Sequence, residues 1–200
     1  MKFKYLLGLM LVPAVALAQD VIKLNMSDIF FQWRPMPKGS AMCGFAIQGN
    51  HFSRENPRTE WDINMDEILT GGSRIAGISA GSFVVTDKVR TPRAAITAMT
   101  FTTEDDAEPL SATIVGVPNK DNGVRALLDL THATKLFSAL SNDRRIFATL
   151  NYADGSIDHL QFSGLRDRRN VGGGRNNPFD QCLRGETPKG IDWDIRRYKN

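Results

Sequence analysis

Two alternating segments joined by an Asp-Gly turn restrict the fold of this chain more than any other feature of its sequence. In Arg145–Tyr152 and again in Ile157–Phe162, apolar and polar residues alternate. The dipeptide Asp154-Gly155 lies between them, and Asp-Gly between alternating segments is the strongest short-range signal for a β-hairpin. The sequence therefore predicts an antiparallel hairpin, and a two-residue turn would place Phe147 opposite Phe162.

Strand patterns also dominate the rest of the chain. In Glu60–Asp66, the apolar residues Trp61, Ile63 and Met65 alternate strictly with polar residues, which is typical of a half-buried strand. Loops rather than helices separate the predicted strands, which argues against a doubly wound parallel sheet. We therefore expect a mainly β fold, α+β at the margin, built as an antiparallel sandwich or a strongly twisted sheet.

A single helix is predicted after these strands. Four apolar residues at i, i+3, i+4 and i+7, starting at Ala133, follow Thr131, a candidate N-cap. This spacing predicts a helix near residues 132–141 that packs on the sheet. A longer helix over Val124–Leu140 is the competing interpretation, although its apolar stripe slips near Thr131.

The first 18 residues have the pattern of an export signal. Met-Lys-Phe-Lys precedes an apolar run from Tyr5 to Leu17, and Ala16-Leu17-Ala18 is a small-x-small cleavage site. The alternative, a membrane anchor, is disfavoured because the run is short and contains Pro13. We expect cleavage before Gln19, a periplasmic or secreted protein, and a single β-rich domain over 19–200 with a loop-rich basic tail. No other segment of the sequence predicts a membrane span.

The charge of the chain comes largely from that leader. The sequence has 25 Lys and Arg against 22 Asp and Glu, a formal charge of +3, and Lys2 and Lys4 belong to the leader. Without it, 23 basic residues face 22 acidic residues. A nearly neutral chain is a poor candidate for binding a nucleic-acid backbone, so we expect no nucleic-acid partner.

The two cysteines are predicted to form a disulfide. Cys43 and Cys182 are the only two in the chain, and exported proteins fold in an oxidising compartment. Two buried free thiols are the structural alternative. A nucleophilic cysteine is disfavoured because neither residue lies in a Cys-x-x-Cys or helix-start setting that lowers a thiol pKa. Two cysteines also exclude a cysteine-only zinc site.

One motif matches that of a serine hydrolase. Gly77-Ile78-Ser79-Ala80-Gly81 fits Gly-x-Ser-x-Gly, which in such enzymes joins a buried strand to a helix and exposes the serine on a strained turn. Here the residues that follow, Phe83 to Thr86, are of types that favour a strand and not a helix. We interpret the pentapeptide as a small-residue strand or bulge and keep Ser79 only as a weak catalytic candidate.

His51 is the histidine with the strongest claim to a functional role. It lies in the polar loop Gly49–Arg58, and Glu60, Asp62 and Asp66 follow that loop, so an acid–base pair of His51 with one of these carboxylates is the catalytic hypothesis. A solvated, hydrogen-bonded loop is the alternative. No two histidines have the short spacing of a local metal-ligand pair, and we expect no metal and no cofactor. The other histidines are His132 and His159.

A basic, glycine-rich segment follows the hairpin. Guanidinium groups beside flexible glycine backbone can hold a phosphate, a carboxylate or an acidic partner, although no P-loop sequence follows here. A solvated tail is the alternative. The arginines concerned are Arg166, Arg168, Arg169 and Arg175.

The region from Leu128 to Cys182 resembles part of a family of exported proteins. It runs strand, helix, hairpin, then Phe162-Ser163-Gly164-Leu165 and a distant cysteine. This order is similar to the C-terminal part of proteins of the invasion-associated locus B kind and of periplasmic accessory proteins of type VI secretion. Those families continue into an apolar helix, where this chain has the basic loop. The resemblance implies a small periplasmic β-rich protein that acts by binding, and it transfers no catalytic residue.

Two main hypotheses of function follow. The first is an exported envelope protein that binds another protein, as an inhibitor, an immunity factor or a secretion accessory, without catalysis. The second is a small exported hydrolase that acts on envelope material through His51 and a carboxylate. A ligand- or lipid-binding module is a third class, and it would require a lined cavity.

Overall fold

The computed structural model describes residues 21–35, 41–51, 58–70, 73–142 and 144–163, together with 181, 182, 184 and 186. The predicted leader and the four arginines of the basic segment lie outside the described residues. The elements are β1 (Val21–Lys23), β2 (Asn25–Pro35), β3 (Ala41–His51), β4 (Arg58–Thr70), β5 (Ser73–Thr86), β6 (Val89–Pro92), β7 (Ile96–Thr103), β8 (Asp106–Val115), β9 (Val124–Leu128), α1 (Leu130–Ser141), β10 (Arg145–Tyr152) and β11 (Ile157–Ser163).

The strands form one sheet that curls until its two edges nearly meet. Its order is β1-β11-β10-β7-β8-β9-β5-β4-β3-β2, and β6 pairs with the end of β5. The outermost strands, β1 and β2, are consecutive in sequence with only Leu24 between them, so the sheet has to bend round on itself. The backbone N–H of Leu24 donates to the carbonyl of Gln161 at 3.0 Å. Its side chain lies over Gly49, where a Cβ would come within 2.5 Å of Leu24 Cδ1.

The long strand β8 joins two halves of this sheet. Its first part pairs with β7, where Ala112 lies opposite Met99, and its end pairs with β9, where Thr113 lies opposite Leu127. The strand pairs are antiparallel except for β1 with β11, which is parallel. The predicted mainly β fold with one helix is confirmed, and the sheet is mixed because of this single parallel pair.

Alternation along the strands separates the core from the outside of the sheet. In β4, Trp61, Ile63 and Met65 are buried with about one per cent of their surface exposed, as the sequence pattern predicts. Their register partners on the neighbouring strands, such as Phe45 and Ile78 on either side of Met65, face the same core. Burial of this continuous apolar layer is the main favourable contribution to the free energy of folding.

The helix lies where the spacing of apolar residues predicts it, and begins slightly earlier. It starts at Leu130, and Asp129 rather than Thr131 is the N-cap, because the Asp129 carboxylate accepts a 2.8 Å hydrogen bond from the backbone N–H of Thr131. That bond holds the pKa of Asp129 below its usual value. The apolar stripe is buried, and Phe137 contacts Phe45 with ring centroids 5.8 Å apart. The helix therefore covers the core side of the sheet.

The predicted hairpin forms, but its register differs by one residue. The N–H of Tyr152 donates to the carbonyl of Ser156 at 3.0 Å, and Gly155 has a φ of 84°. The loop is thus 153–155, a three-residue turn with glycine in the left-handed position. Phe162 consequently lies opposite Ile146 rather than Phe147. Phe162 and Ile146 both face the core.

A buried carboxylate ties distant strands together inside the sheet. Asp158 of β11 accepts hydrogen bonds from Trp61 Nε1 at 2.9 Å and Tyr152 Oη at 2.7 Å. Arg93, in the link between β6 and β7, donates to both of its oxygens, at 2.5 and 3.3 Å. We call Asp158 and these three donors the Asp158 cluster. Buried charge is tolerated when it is paired and hydrogen-bonded, and all of these contacts satisfy the same carboxylate.

The predicted disulfide between Cys43 and Cys182 is confirmed. The two Cα atoms are 5.9 Å apart and the bond links positions separated by 139 residues. Both cysteines are completely buried, and Cys43 lies within β3. The bond therefore fixes the distant residue 182 to β3, the strand next to the edge strand β2. Within the part of the chain that the structure describes, no helix is long and apolar enough to cross a membrane.

Candidate functional site

The side of β4 that faces away from the core carries a polar row flanked by small residues. Strand register places Asp66 opposite Gly77, Asn64 opposite Ser79 and Asp62 opposite Gly81. The next strand, β9, places Arg125 opposite Ser79 and Leu127 opposite Gly77. We call this surface the outer face; its members are Asp62, Asn64, Asp66, Gly77, Ser79, Gly81, Arg125 and Leu127.

The Gly-x-Ser-x-Gly motif forms the floor of the outer face. All five of its residues lie in the middle of β5, between β4 and β9, and not at a strand-to-helix turn. A Cβ at Gly77 would lie 3.3 Å from Asp66 Oδ1 and 3.4 Å from Arg125 Nη2. A glycine here lets Arg125 reach across β5 to Asp66. The interpretation of this motif as a small-residue strand therefore fits its position.

Arg125 and Asp66 form a partly buried ion pair across that floor. Arg125 Nη2 lies 3.2 Å from Asp66 Oδ1, and the Asp66 side chain is largely buried while that of Arg125 is half exposed. Burial raises the pKa of Asp66, and the positive charge of Arg125 partly opposes this rise. The Asp66 carboxylate is therefore held in an ion pair with Arg125.

A second group of ion pairs surrounds Arg90 of β6. Arg90 Nε lies 3.0 Å from Glu60 Oε2, and its Nη2 lies 2.7 Å from Asp62 Oδ2. Its Cζ atom also stacks 3.9 Å from the centroid of the Phe83 ring. We call Glu60, Asp62 and Phe83 the Arg90 cradle. Arg58 pairs with the other oxygen of Glu60 at 2.6 Å.

Two cavities meet at this cradle. The larger is a groove of about 540 Å³ over the outer face, between β4 and the loop that precedes β9. The smaller, of about 150 Å³, lies beside the ends of β3 and β4 and is lined by Gln48, Asn50 and Arg58. Asp62 and Arg90 line both, so their ion pair is the partition between them.

One exposed apolar side chain lines the groove, and two others lie outside its lining on the same side of the sheet. Val117, in the loop before β9, lines it and is 89% exposed, and Leu127 and Ile75 are 41% and 46% exposed. Leu127 lies opposite Gly77, and Ile75 lies two residues before Gly77 on the same side of β5. Exposed apolar side chains with polar groups around them are typical of a surface that contacts another molecule.

The loop that carries Val117 is held by its own side chains. Asn119 Oδ1 accepts hydrogen bonds from the backbone N–H groups of Asp121 and Gly123, at 2.8 and 2.9 Å. Asn122, with a φ of 57°, donates its side-chain N–H to the carbonyl of Arg93 at 2.8 Å. These bonds give the wall of the groove a defined shape without a ligand.

His51 and the carboxylates considered with it do not come together. His51 pairs with Thr59 at the end of β3, on the parity whose other members face the core, whereas Glu60, Asp62 and Asp66 have the opposite parity. His51 Nδ1 is buried without a hydrogen-bond partner among the described residues. His159 Nδ1 lies 3.1 Å from Thr149 Oγ1, and no group of three or more potential metal ligands exists in the described ranges.

Sequence reasoning found Asp62 and Ser79 in the outer face but missed the cations. Arg90 and Arg125 lie on two short strands that both pair with β5, and their side chains reach across β5 to the acids of β4. Their partners are 28 and 59 residues away in sequence. A strict period of two over Val124–Leu128 marks Arg125 as outward-facing, which is the only local signal for either residue.

The fold and the outer face together define a class of molecule: in the described residues, a strand-dominated fold with a curled mixed sheet, one helix and a long-range disulfide. Comparison with protein-family models, with curated proteins and with solved structures finds no match to the chain.

Glu67 is a buried carboxylate on the core side of β4. It is nearly inaccessible, and its nearest cation, Arg74 Nη1, is 3.9 Å away. Burial raises the pKa of Glu67, and the charge of Arg74 opposes that rise only in part. Glu67 therefore keeps its proton to a higher pH in the folded state than in the unfolded state. Ionisation of Glu67 consequently lowers the free energy of unfolding as the pH rises.

Glu67→Gln is therefore expected to raise the free energy of unfolding at pH 7. The gain should shrink as the pH falls and be nearly absent at about pH 3, more than one unit below the ordinary glutamate pKa of about 4.3, where the carboxyl of the parent is protonated in both states. Urea denaturation of parent and variant at both pH values measures it. Glu108→Gln, at an exposed glutamate, is the control. A variant less stable than the parent at pH 7 would contradict the prediction.

Proposed function

We propose that this chain is an exported, non-catalytic protein that binds another protein of the cell envelope through its outer face. The observation that carries the proposal is that the exposed Val117 lines the 540 Å³ groove, while the exposed Leu127 and Ile75 lie on the same side of the sheet, beside Gly77. Apolar residues in the middle of a contact, with polar groups around them, are the usual composition of protein interfaces.

The chemistry of the groove favours binding over catalysis. Asp62 and Asp66 are held by Arg90 and Arg125, so neither carboxylate is poised as a general base. Ser79 has Asn64 and Arg125 as its register neighbours on the two adjacent strands. The hydrolase hypothesis gains no support, because strand parity separates His51 from the three carboxylates that it would need.

Export is supported by the disulfide and by the leader pattern at residues 1–18. Disulfides persist in oxidising compartments such as the periplasm. The resemblance of the C-terminal region to periplasmic proteins that act by binding agrees with this compartment. We therefore place the partner in the cell envelope or on secreted material.

A photo-crosslinking amino acid at Val117 tests the proposal in living cells. We expect one defined protein to be crosslinked, and Leu127→Glu to reduce its yield about tenfold, because a buried unpaired charge in an interface costs more than 1.4 kcal/mol. Leu130→Glu is the matched control, since Leu130 is 40% exposed against 41% for Leu127 but lies on the first turn of α1. Equal yields from the two glutamate variants would remove the outer face as the docking surface.

A further inference from the structure

The Arg90 cradle is a complete guanidinium-binding site. Two carboxylates take separate nitrogens of the Arg90 head group, at 3.0 and 2.7 Å, and the Phe83 ring covers its face at 3.9 Å. Charged hydrogen bonds at the edge and an aromatic ring on the face are the two interactions that distinguish guanidinium from ammonium. The site recognises the planar group and not merely a positive charge.

The residue that fills this site is weakly anchored. Arg90 lies on β6, a strand of four residues that pairs only with the end of β5 and stands off the main path of the sheet. Its side chain is 42% exposed, and ion pairs this accessible contribute only about 0.2–1 kcal/mol each. Cavities lie on both sides of Arg90 and Asp62, so displacement of Arg90 would leave Asp62 as the lining residue that the two cavities share.

We propose that an arginine of the partner protein enters the Arg90 cradle, with Arg90 as the placeholder in the unbound chain. This inference rests on the proposed function and names the chemistry that the outer face recognises. The incoming guanidinium takes the bonds to Glu60 and Asp62 and the stack on Phe83. The aliphatic part of the partner side chain then lies in the groove beside Val117.

One arginine on another surface, Arg144, provides a matched control for Arg90. Arg144 also lies near two carboxylates, with Nη1 3.3 Å from Glu104 Oε1 and Nε 3.6 Å from Asp105 Oδ2, and its side chain is about as exposed. It has no aromatic ring over it in the described part of the chain. Arg144→Ala therefore removes the same charge as Arg90→Ala but does not expose a site with an aromatic ring for a guanidinium group.

The test is a titration of the full-length Arg90→Ala protein with methylguanidinium chloride, followed by amide chemical shifts. We expect saturable shifts near Glu60, Asp62 and Phe83, with methylammonium chloride at least about tenfold weaker. Asp62→Asn added to Arg90→Ala should lower the affinity about tenfold. Arg144→Ala should show no saturable site, and Arg90→Gln repeats the test if the alanine variant does not fold. Equal responses to the two cations, or equal responses of the Arg90 and Arg144 variants, would overturn the inference.

A second measurement separates this inference from the proposed function. If a partner arginine replaces Arg90, the Arg90→Ala protein should yield more of the Val117 crosslink than the parent, because the internal competitor is gone. A lower yield would mean that Arg90 itself contacts the partner. It would overturn the replacement of Arg90 by a partner arginine, while leaving the outer face as the docking surface. Loss of the Leu127→Glu effect, with methylguanidinium binding intact, would instead refute the docking surface alone.

Discussion

Asp158→Ala is expected to lower the free energy of unfolding by about 3–5 kcal/mol, the range for removing one partner of a buried ion pair. The carboxylate accepts hydrogen bonds from Trp61, Tyr152 and Arg93, and alanine would leave all three donors without it in the interior. Burial and the Asp158 charge raise the pKa of Tyr152, which keeps its phenol protonated as a donor. Urea denaturation near neutral pH measures the loss.

A double-mutant cycle with Tyr152→Phe identifies its cause. This substitution removes only the hydroxyl that donates to Asp158 at 2.7 Å, and alone it should cost about 1.5–3 kcal/mol, the range for a hydrogen bond to a charged group. In the Asp158→Ala background it should cost much less, because the bond is already lost. Additive effects of the two substitutions would mean that Asp158 acts through something other than this cluster.

The Asp158 cluster also shows where local sequence patterns stop being informative. Asp158 lies two residues before Leu160 and four before Phe162 in β11. Period two therefore correctly assigns it to the same, core-facing side of the strand. Nothing local explains an acid on that side. Its donors Trp61 and Arg93 are 97 and 65 residues away in sequence, and only closure of the sheet brings them together.

The hairpin also shows a limit of what the local sequence predicts, here in the strand register. Asp154-Gly155 predicted a turn between β10 and β11, and the turn is there. Whether the loop has two or three residues depends on the strand faces, because Ile146 and Phe162 both have to point into the core. A register shifted by one residue would place Phe147, which is only half-buried, opposite Phe162.

The outer face was predictable only in part. Strict alternation in β4 correctly put Asp62 and Asp66 on the side away from Trp61 and Met65. The same pattern could not show that arginines neutralise them, because β6 and β9 approach β4 and β5 through chain reversals whose geometry is not encoded locally. Carboxylates that looked available for catalysis in the sequence are held in ion pairs in the folded protein.

Cys43→Ser is expected to lower the free energy of unfolding by about 2–5 kcal/mol, the range for native disulfides in small exported domains. The bond to Cys182 closes a loop of 139 residues, and the chain-entropy model gives about 5 kcal/mol for a loop of that length. Cys182→Ser should cost nearly the same. Urea denaturation of both variants, beside the parent treated with dithiothreitol, measures the effect.

The double variant separates the bond from the packing of each sulfur. If the disulfide is the cause, Cys43→Ser with Cys182→Ser should be little less stable than either single variant, because each single variant has already lost the same bond. Cys43 is also completely buried in β3 opposite Glu67, so a cost confined to Cys43→Ser would arise from a polar hydroxyl in the core and not from the cross-link. Thiol titration of the denatured, unreduced parent should find no free thiol. Two free thiols would mean that residue 182 is held beside β3 by packing alone, and the unfolded chain would then lack the constraint from which this stability is derived.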